Sequence, residues 1–343
     1  MEHVSGPLNE EDVFTIEKDG MAVEILSLGA SITSIRPRGA GHSMVLSLPT
    51  EAYGAANQSF VGASIGRFAN RIGAGRFELN GRSHSLPVND GPNQLHGGPA
   101  GFSTRPWAPV HRTASQLVLA LTSEDGDEGF PGRLEARAMF TILAGDEMEI
   151  AYEATADQAT IANLTAHLYF NLEGSGDVLG HRLTVLADHY LPIDETTLPT
   201  GEIVPVNGSA FDFRNPRALS ERPEGLDHNF CLASQRDMGL RPAVRLEDPR
   251  GGWTLELSTS EPGMQVYDGH KFDGRQKAAD GRPIEAFAGL ALEPQVWPDA
   301  PNRPSFPSAL LLPGETYRSV SRYRFIGGSS SPAHGPAETI RQA

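Results

Sequence analysis

Cysteine is nearly absent: Cys231 is the single one in 343 residues. No intrachain disulfide can form, which fits a reducing compartment and sets aside the disulfide-stapled secreted scaffolds. Long apolar runs are missing too, since no stretch approaches the ~18 consecutive apolar residues of a membrane-crossing helix. The first residues, Met1 to Val13, are polar and acidic, with no basic region followed by an apolar run, so they do not read as a secretory signal. Positive charge is scarce: 28 Lys and Arg stand against 43 Asp and Glu, for a net charge of −15. Such a surface repels phosphate backbones and anionic lipid, so neither nucleic acid nor a membrane surface is an expected partner. Together these absences predict a cytoplasmic protein. The chain also lacks HxH and HExxH spacings and a glycine-rich nucleotide loop, so no metal and no cofactor is expected.

Helical signals are equally thin. No long, capped run repeats every 3.6 residues. What the chain has instead is turns, with 37 Gly and 26 Pro, and apolar residues at every second position. Leu134, Ala136, Ala138, Phe140 and Ile142 alternate with more polar neighbours. After a turn at Gly145-Asp146, Met148, Ile150, Tyr152 and Ala154 do the same, which reads as a hairpin with one buried face. Phe77-Glu78-Leu79 runs into Asn80-Gly81, and Asp19-Gly20 separates Phe14-Thr15-Ile16 from Val23-Glu24-Ile25. Both dipeptides tolerate two successive positive φ values and favour tight hairpins. Further strands are predicted at 117–121, 183–186, 253–257, 263–267, 290–293 and 317–326. The predicted fold class is all-β, a large antiparallel β-sandwich of two packed sheets. No linker interrupts it, so residues 13–326 are read as one domain, with residues 1–12 and the Gly/Ser/Pro-rich 327–343 as flexible ends.

Several polar segments stand out from this pattern. Gly66 to Ile72 sets two arginines and an asparagine between apolar residues. Asn89 to Gly98 ends on His96 beside two glycines. Asn163 to Leu172 places His167 in an apolar, aromatic setting. Asp227 to Phe230, Glu261 to Tyr267, and Glu293 closing an apolar run complete the set. Singly, each has a structural reading. A buried histidine is commonly a hydrogen-bonded core residue. Arg67 reads best as a structural salt-bridge partner, Asp227 as a cap of a short helix or turn, and Glu293 as the partner of an arginine.

In order, however, the blocks resemble the aldose 1-epimerase (galactose mutarotase) family. They read GRFANRI at 66–72, NQLHGG at 93–98, NLTAHLYFNL at 163–172, LPIDETTLPTGEIVPV at 191–206, FDFR at 211–214, DHNF at 227–230, EPGMQVY at 261–267, and LEPQ followed by PDAPN at 292–302. The resemblance runs from about Phe14 to Ile326. It implies a galactose mutarotase-like supersandwich with an open cleft, no cofactor, and a free sugar as the one small-molecule partner of a monomer or homodimer. It implies His167 as general acid and Glu293 as general base, with Asn70, Arg71, His96, Tyr169, Asp227 and Gln265 around the sugar. The chain departs from the family at Ala166 and Leu168, where many members carry polar residues such as Asn and Ser. It departs again at Asp268 and His270, in place of the commoner Thr and Asn.

These residue types suit the implied reaction. Mutarotation breaks the C1–O5 bond of a cyclic hemiacetal, and O1 loses a proton while O5 gains one. One base and one acid suffice. An ionised glutamate can accept the first proton, an imidazolium can supply the second, and Asp227 would favour the imidazolium. Arg71 and His96 can donate hydrogen bonds to ring oxygens, while Tyr169 and Trp297 are candidates to cover an apolar ring face. Three other readings compete with it: a binding-only sandwich, a glycoside hydrolase using Asp227 and Glu293, and a metal site of His96, His167 and Glu293. The first ignores the acid–base pair. The second calls for two carboxylates rather than a His–Glu pair, and the third lacks a ligand spacing.

Overall fold

Strand pairing starts at the tight turns. In this computed structural model, which describes residues 12–237, 239–250 and 252–327, Asp19 and Gly20 adopt φ of 52° and 87°, and Asn80 and Gly81 adopt 51° and 73°. Each pair closes a two-residue hairpin, with Lys18 opposite Met21 and Leu79 opposite Arg82. Two positive φ values give a turn whose twist matches that of the strands it joins, which is why these dipeptides sit there. The longer hairpin pairs Leu134–Ile142 with Glu147–Ala156, setting Phe140 against Ile150 and Ala138 against Tyr152.

These strands belong to a nine-stranded antiparallel sheet. Its order, by residues, is 217–218, 182–185, 241–247, 253–259, 317–327, 147–156, 134–142, 116–123 and 108–112. A six-stranded sheet runs 169–170, 290–295, 263–267, 227–231, 189–190 and 204–205. The two share one apolar core, in which Phe170 of the smaller sheet stacks on Tyr323 of the larger at 5.8 Å between ring centroids. A three-stranded meander over 13–36 and four two-stranded ladders complete the structure. Among the described residues there is no α-helix, only short 3₁₀ turns. No described helix is long and apolar enough to cross a membrane.

The all-β sandwich expected from the alternation is therefore present, and every strand expected from it is found. Two differences have physical causes. Asp227–Cys231, whose first four residues were grouped above with the polar segments and whose Asp227 was offered as a cap of a short helix or turn, is a central strand paired with Gly263–Tyr267. Both its faces are covered and one carries polar side chains, so it shows no apolar alternation. Ala108–Arg112 is an edge strand exposed along its whole length, so it shows none either. Apart from Asp12 and Gly327, the expected flexible ends at 1–12 and 327–343 lie outside the described residues.

Candidate functional site

The smaller sheet lays its polar face out in rows. The register sets Asp227 opposite Tyr267 and Tyr267 opposite Ala291; the next row on that face is Asn229, Gln265 and Glu293. Because side chains alternate along a strand, Asp227, Gln265 and Glu293 share one face. His167 reaches the same place from a neighbouring segment, fixed by backbone bonds His167 N–H to Ala63 O at 2.9 Å and Gly62 N–H to His167 O at 2.9 Å. Its Nε2 lies 3.5 Å from Glu293 Oε1.

The part of the site beside this pair comes from two left-handed residues. Asn70 has φ of 64° and His96 of 52°. They hold each other: the His96 N–H donates to Asn70 O at 3.0 Å, and the Asn70 N–H donates to His96 Nδ1 at 3.1 Å. With Nδ1 accepting, the proton of the neutral ring sits on Nε2. Gly97 must be glycine here, because a Cβ would lie 1.9 Å from the Gly66 carbonyl oxygen. Arg71 donates from Nε to Asp90 at 2.7 Å, and its Nη1 lies 3.8 Å from Asp227 Oδ2.

Asn70, Arg71, His96, His167, Tyr169, Asp227 and Glu293 thus line one small open cleft of about 230 Å³. Gln265 does not line it; its amide N–H donates to Asp227 Oδ1 at 2.7 Å from behind. Trp297 is not a wall either, since its indole N–H donates to Pro262 O at 2.9 Å and its ring packs on Phe306 in an apolar cluster. Ala166 and Leu168 belong to the main core and stay out of the cleft, as alternation about His167 dictates. Arg67 is buried away from the cleft. It forms none of the described salt bridges and is instead caged by the carbonyl oxygens of Ser123, Glu124, Pro131 and Gly132 at 2.8–3.1 Å.

Sequence reasoning passed over Phe60, Tyr267, Lys271 and Phe272, which also line the cleft. The Phe60 ring stands 4.6 Å from that of His96 and 6.0 Å from that of His167. Asn57 braces this loop through Val61, donating to its carbonyl and accepting from its N–H, both at 2.9 Å.

Burial dominates the electrostatics. It pushes His167 down to about 4, against the raising influence of Asp227. Asp227 thus favours the imidazolium, as expected, but loss of solvation outweighs one carboxylate. Burial first, and Asp227 second, push Glu293 well above its ordinary value, while Arg71 pulls the other way. Burial, with His167 and Arg71 adding to it, holds His96 well below 6.5 and so neutral.

A buried carboxyl–imidazole pair in an open, polar-walled cleft can exchange protons with a bound hydroxylic molecule. The aldose 1-epimerase profile matches residues 12–324. The mouse galactose mutarotase is 41% identical over 322 residues, covering 91% of this chain and 93% of that one. The aldose 1-epimerase of Escherichia coli K12 is 37% identical over 322 residues, covering 90% and 92%. A solved GalM/aldose epimerase homologue from C. elegans superposes with a TM-score of 0.86 at 28% identity, covering 92% of this chain and 99% of that one.

The chain belongs to the aldose 1-epimerase family. It is an isomerase, a mutarotase of free aldoses. Its cleft brings together the His167–Glu293 pair, the His96 imidazole, the Arg71 guanidinium and the aromatic rings of Phe60, Tyr169 and Phe272. The Tyr169 hydroxyl is already committed to Ser59 O at 3.1 Å.

Proposed function

We propose that this mutarotase interconverts the α and β anomers of hexoses such as galactose and glucose, with Glu293 as general base and His167 as general acid. The observation that carries the assignment is the 3.5 Å approach of His167 Nε2 to Glu293 Oε1 on the floor of the cleft. Glu293 takes the proton from O1–H as the O1 electron pair forms the aldehyde. The C1–O5 bond breaks, and O5 takes a proton from His167. Rotation about C1–C2 presents the other carbonyl face. Closure then reverses both proton transfers, so atoms and charge balance with no further reactant. Burial favours the neutral pair, with the shared proton on Glu293. Arg71 stabilises the carboxylate and Asp227 the imidazolium, which makes the form with the proton on His167 reachable.

Arg71, Asn70 and His96 orient the ring oxygens, and Gln265 acts through Asp227. Residues 13–326 are read as one folding unit, supported by strand 317–327 lying between 253–259 and 147–156 in the larger sheet. A reducing, cytoplasmic setting fits the single cysteine.

A metal reading has one observation behind it, since ligand atoms of His96, His167 and Glu293 all lie within 4.8 Å of one another. A metal-bound histidine almost always donates its second ring N–H to a partner, and His167 Nδ1 has none. Polarimetry of freshly dissolved α-D-glucose, α-D-galactose, L-arabinose and D-xylose tests the proposal, before and after dialysis against EDTA. Faster approach to an unchanged equilibrium, surviving EDTA, is the expected result. Buffer rates on every sugar, or loss on chelation restored by a metal, overturn it.

A further inference from the structure

Two cations line the cleft, and only one of them is neutralised. Arg71 is held by Asp90 and Asp227. Lys271 forms none of the described ion pairs and is exposed at the cleft mouth. Resting on the mutarotase reading above, we propose that Lys271 makes this cleft select aldoses that carry an anionic group, a carboxylate or a phosphate, at the end of the sugar away from C1.

The backbone under Lys271 is held in place, and the residues that hold it include the two departures from the family pattern. Asp268 is buried and pairs with both Arg222 and His270, whose Nδ1 lies 2.6 Å from Asp268 Oδ1. The Arg222 guanidinium lies 4.1 Å from the centroid of the Phe287 ring. Gly269 turns the chain with φ of 70°. The Lys271 N–H donates to the Tyr267 hydroxyl at 3.1 Å, and the Phe272 ring packs 5.0 Å from that of Tyr169. The backbone that carries this cation is therefore held at the rim of the cleft by named contacts, while the side chain itself stays exposed.

Its place relative to the chemistry sets what it reads. His167 and Glu293 are buried while Lys271 is exposed on the lining of the same cleft, so a sugar with C1 against the pair turns its far end outwards, towards the side where Lys271 lies. A neutral hexose offers only hydroxyls there, and a strongly hydrated ammonium gains little by leaving water for a hydroxyl. A carboxylate or phosphate instead forms a charge-assisted hydrogen bond. The protein carries a net charge of −15, so its long-range field opposes an anionic ligand. A local, unneutralised cation supplies what such a ligand then requires. The C1 chemistry is unchanged, because the anion lies away from the bonds that break and form.

The test measures kcat and KM by NMR exchange for three sugars matched in ring configuration: D-galactose, D-galacturonate and D-galactose 6-phosphate. It is run on the wild type, Lys271→Gln and Lys271→Arg. The wild type is expected to show a lower KM for at least one anionic sugar than for galactose, and the two anionic arms tell carboxylate from phosphate. Lys271→Gln should raise that KM relative to galactose by about tenfold, the size of one charge-assisted contact, with kcat little changed. Lys271→Arg should restore most of the preference, and added salt should weaken it in the wild type. A wild type that favours galactose over both anionic sugars overturns the inference, as does a ratio unmoved by Lys271→Gln. If galactose is accelerated in either case, the mutarotase reading survives. If none of the three sugars is accelerated, both fail together.

Discussion

His167 Nε2 lies 3.5 Å from Glu293 Oε1, and the two side chains are only 5% and 2% exposed. An imidazole and a carboxyl this close and this dry titrate as a pair, and each proton lost or gained belongs to both.

The pH dependence follows from the directions of their shifts. Burial lowers His167 to about 4 and raises Glu293 well above its ordinary value. The pair therefore holds one proton between the uptake of a second, near pH 4, and the loss of the last, above the usual carboxylate range. The profile of kcat/KM should be a bell with its acid limb near 4, and its alkaline limb should report the pair rather than an isolated histidine. Asp227 raises Glu293, so Asp227→Asn should move the alkaline limb to lower pH while lowering the overall rate. NMR exchange at constant ionic strength reads both limbs. An alkaline limb that moves up in Asp227→Asn contradicts this arrangement.

His96 is expected to act as a neutral donor. Its Nδ1 accepts from the Asn70 N–H at 3.1 Å, which leaves Nε2–H for a sugar oxygen. His96→Phe keeps a ring against Phe60 but removes that donor. It should lower kcat/KM of the folded protein by about 10- to 100-fold, the worth of one buried hydrogen bond, and because it also strands the buried Asn70 N–H it should cost about 1–3 kcal/mol of stability. An unchanged kcat/KM would show that the ring only packs.

Arg67 gives the opposite outcome. Its guanidinium satisfies backbone carbonyls at Ser123, Glu124, Pro131 and Gly132, and burial lowers it only to about 10, so it stays charged at neutral pH. Arg67→Met strands those carbonyls and should cost roughly 3 kcal/mol or more of stability, since each buried unsatisfied group costs about 1–3 kcal/mol. Urea unfolding reads the loss, and polarimetry of the folded fraction should show near wild-type kcat. A variant of unchanged stability refutes the cage.

Much of this architecture could be read from the chain. The strands at 134–142 and 147–156 have one wet and one dry face, and that contrast writes a period of two into the sequence. Asn80-Gly81 and Asp19-Gly20 announced their turns because few other pairs tolerate two positive φ values. Asp227–Cys231 was hidden because it is covered on both faces and one of them is polar. The ladders of 64–65 with 165–166 and of 71–72 with 94–95 are two residues long, too short to carry any period. Phe60 had no signal at all: an aromatic in a polar loop reaches the cleft only because Asn57 ties the loop to Val61. Trp297 and Gln265 show the reverse limit, since sequence order carried them near the cleft and packing placed them behind it.

The role of Glu293 is the centre of the account, and Glu293→Gln tests it most directly. The amide keeps the shape of the side chain and its place on strand Leu290–Gln295 but cannot take the O1 proton. Anomer equilibration of fresh α-D-galactose should be followed by polarimetry, with circular dichroism on the same samples to establish folding. A loss of ~10²–10⁴-fold in kcat, with a folded protein and a modest change in KM, is the predicted result. A folded Glu293→Gln protein with near wild-type kcat would contradict the account and pass the base to Asp227.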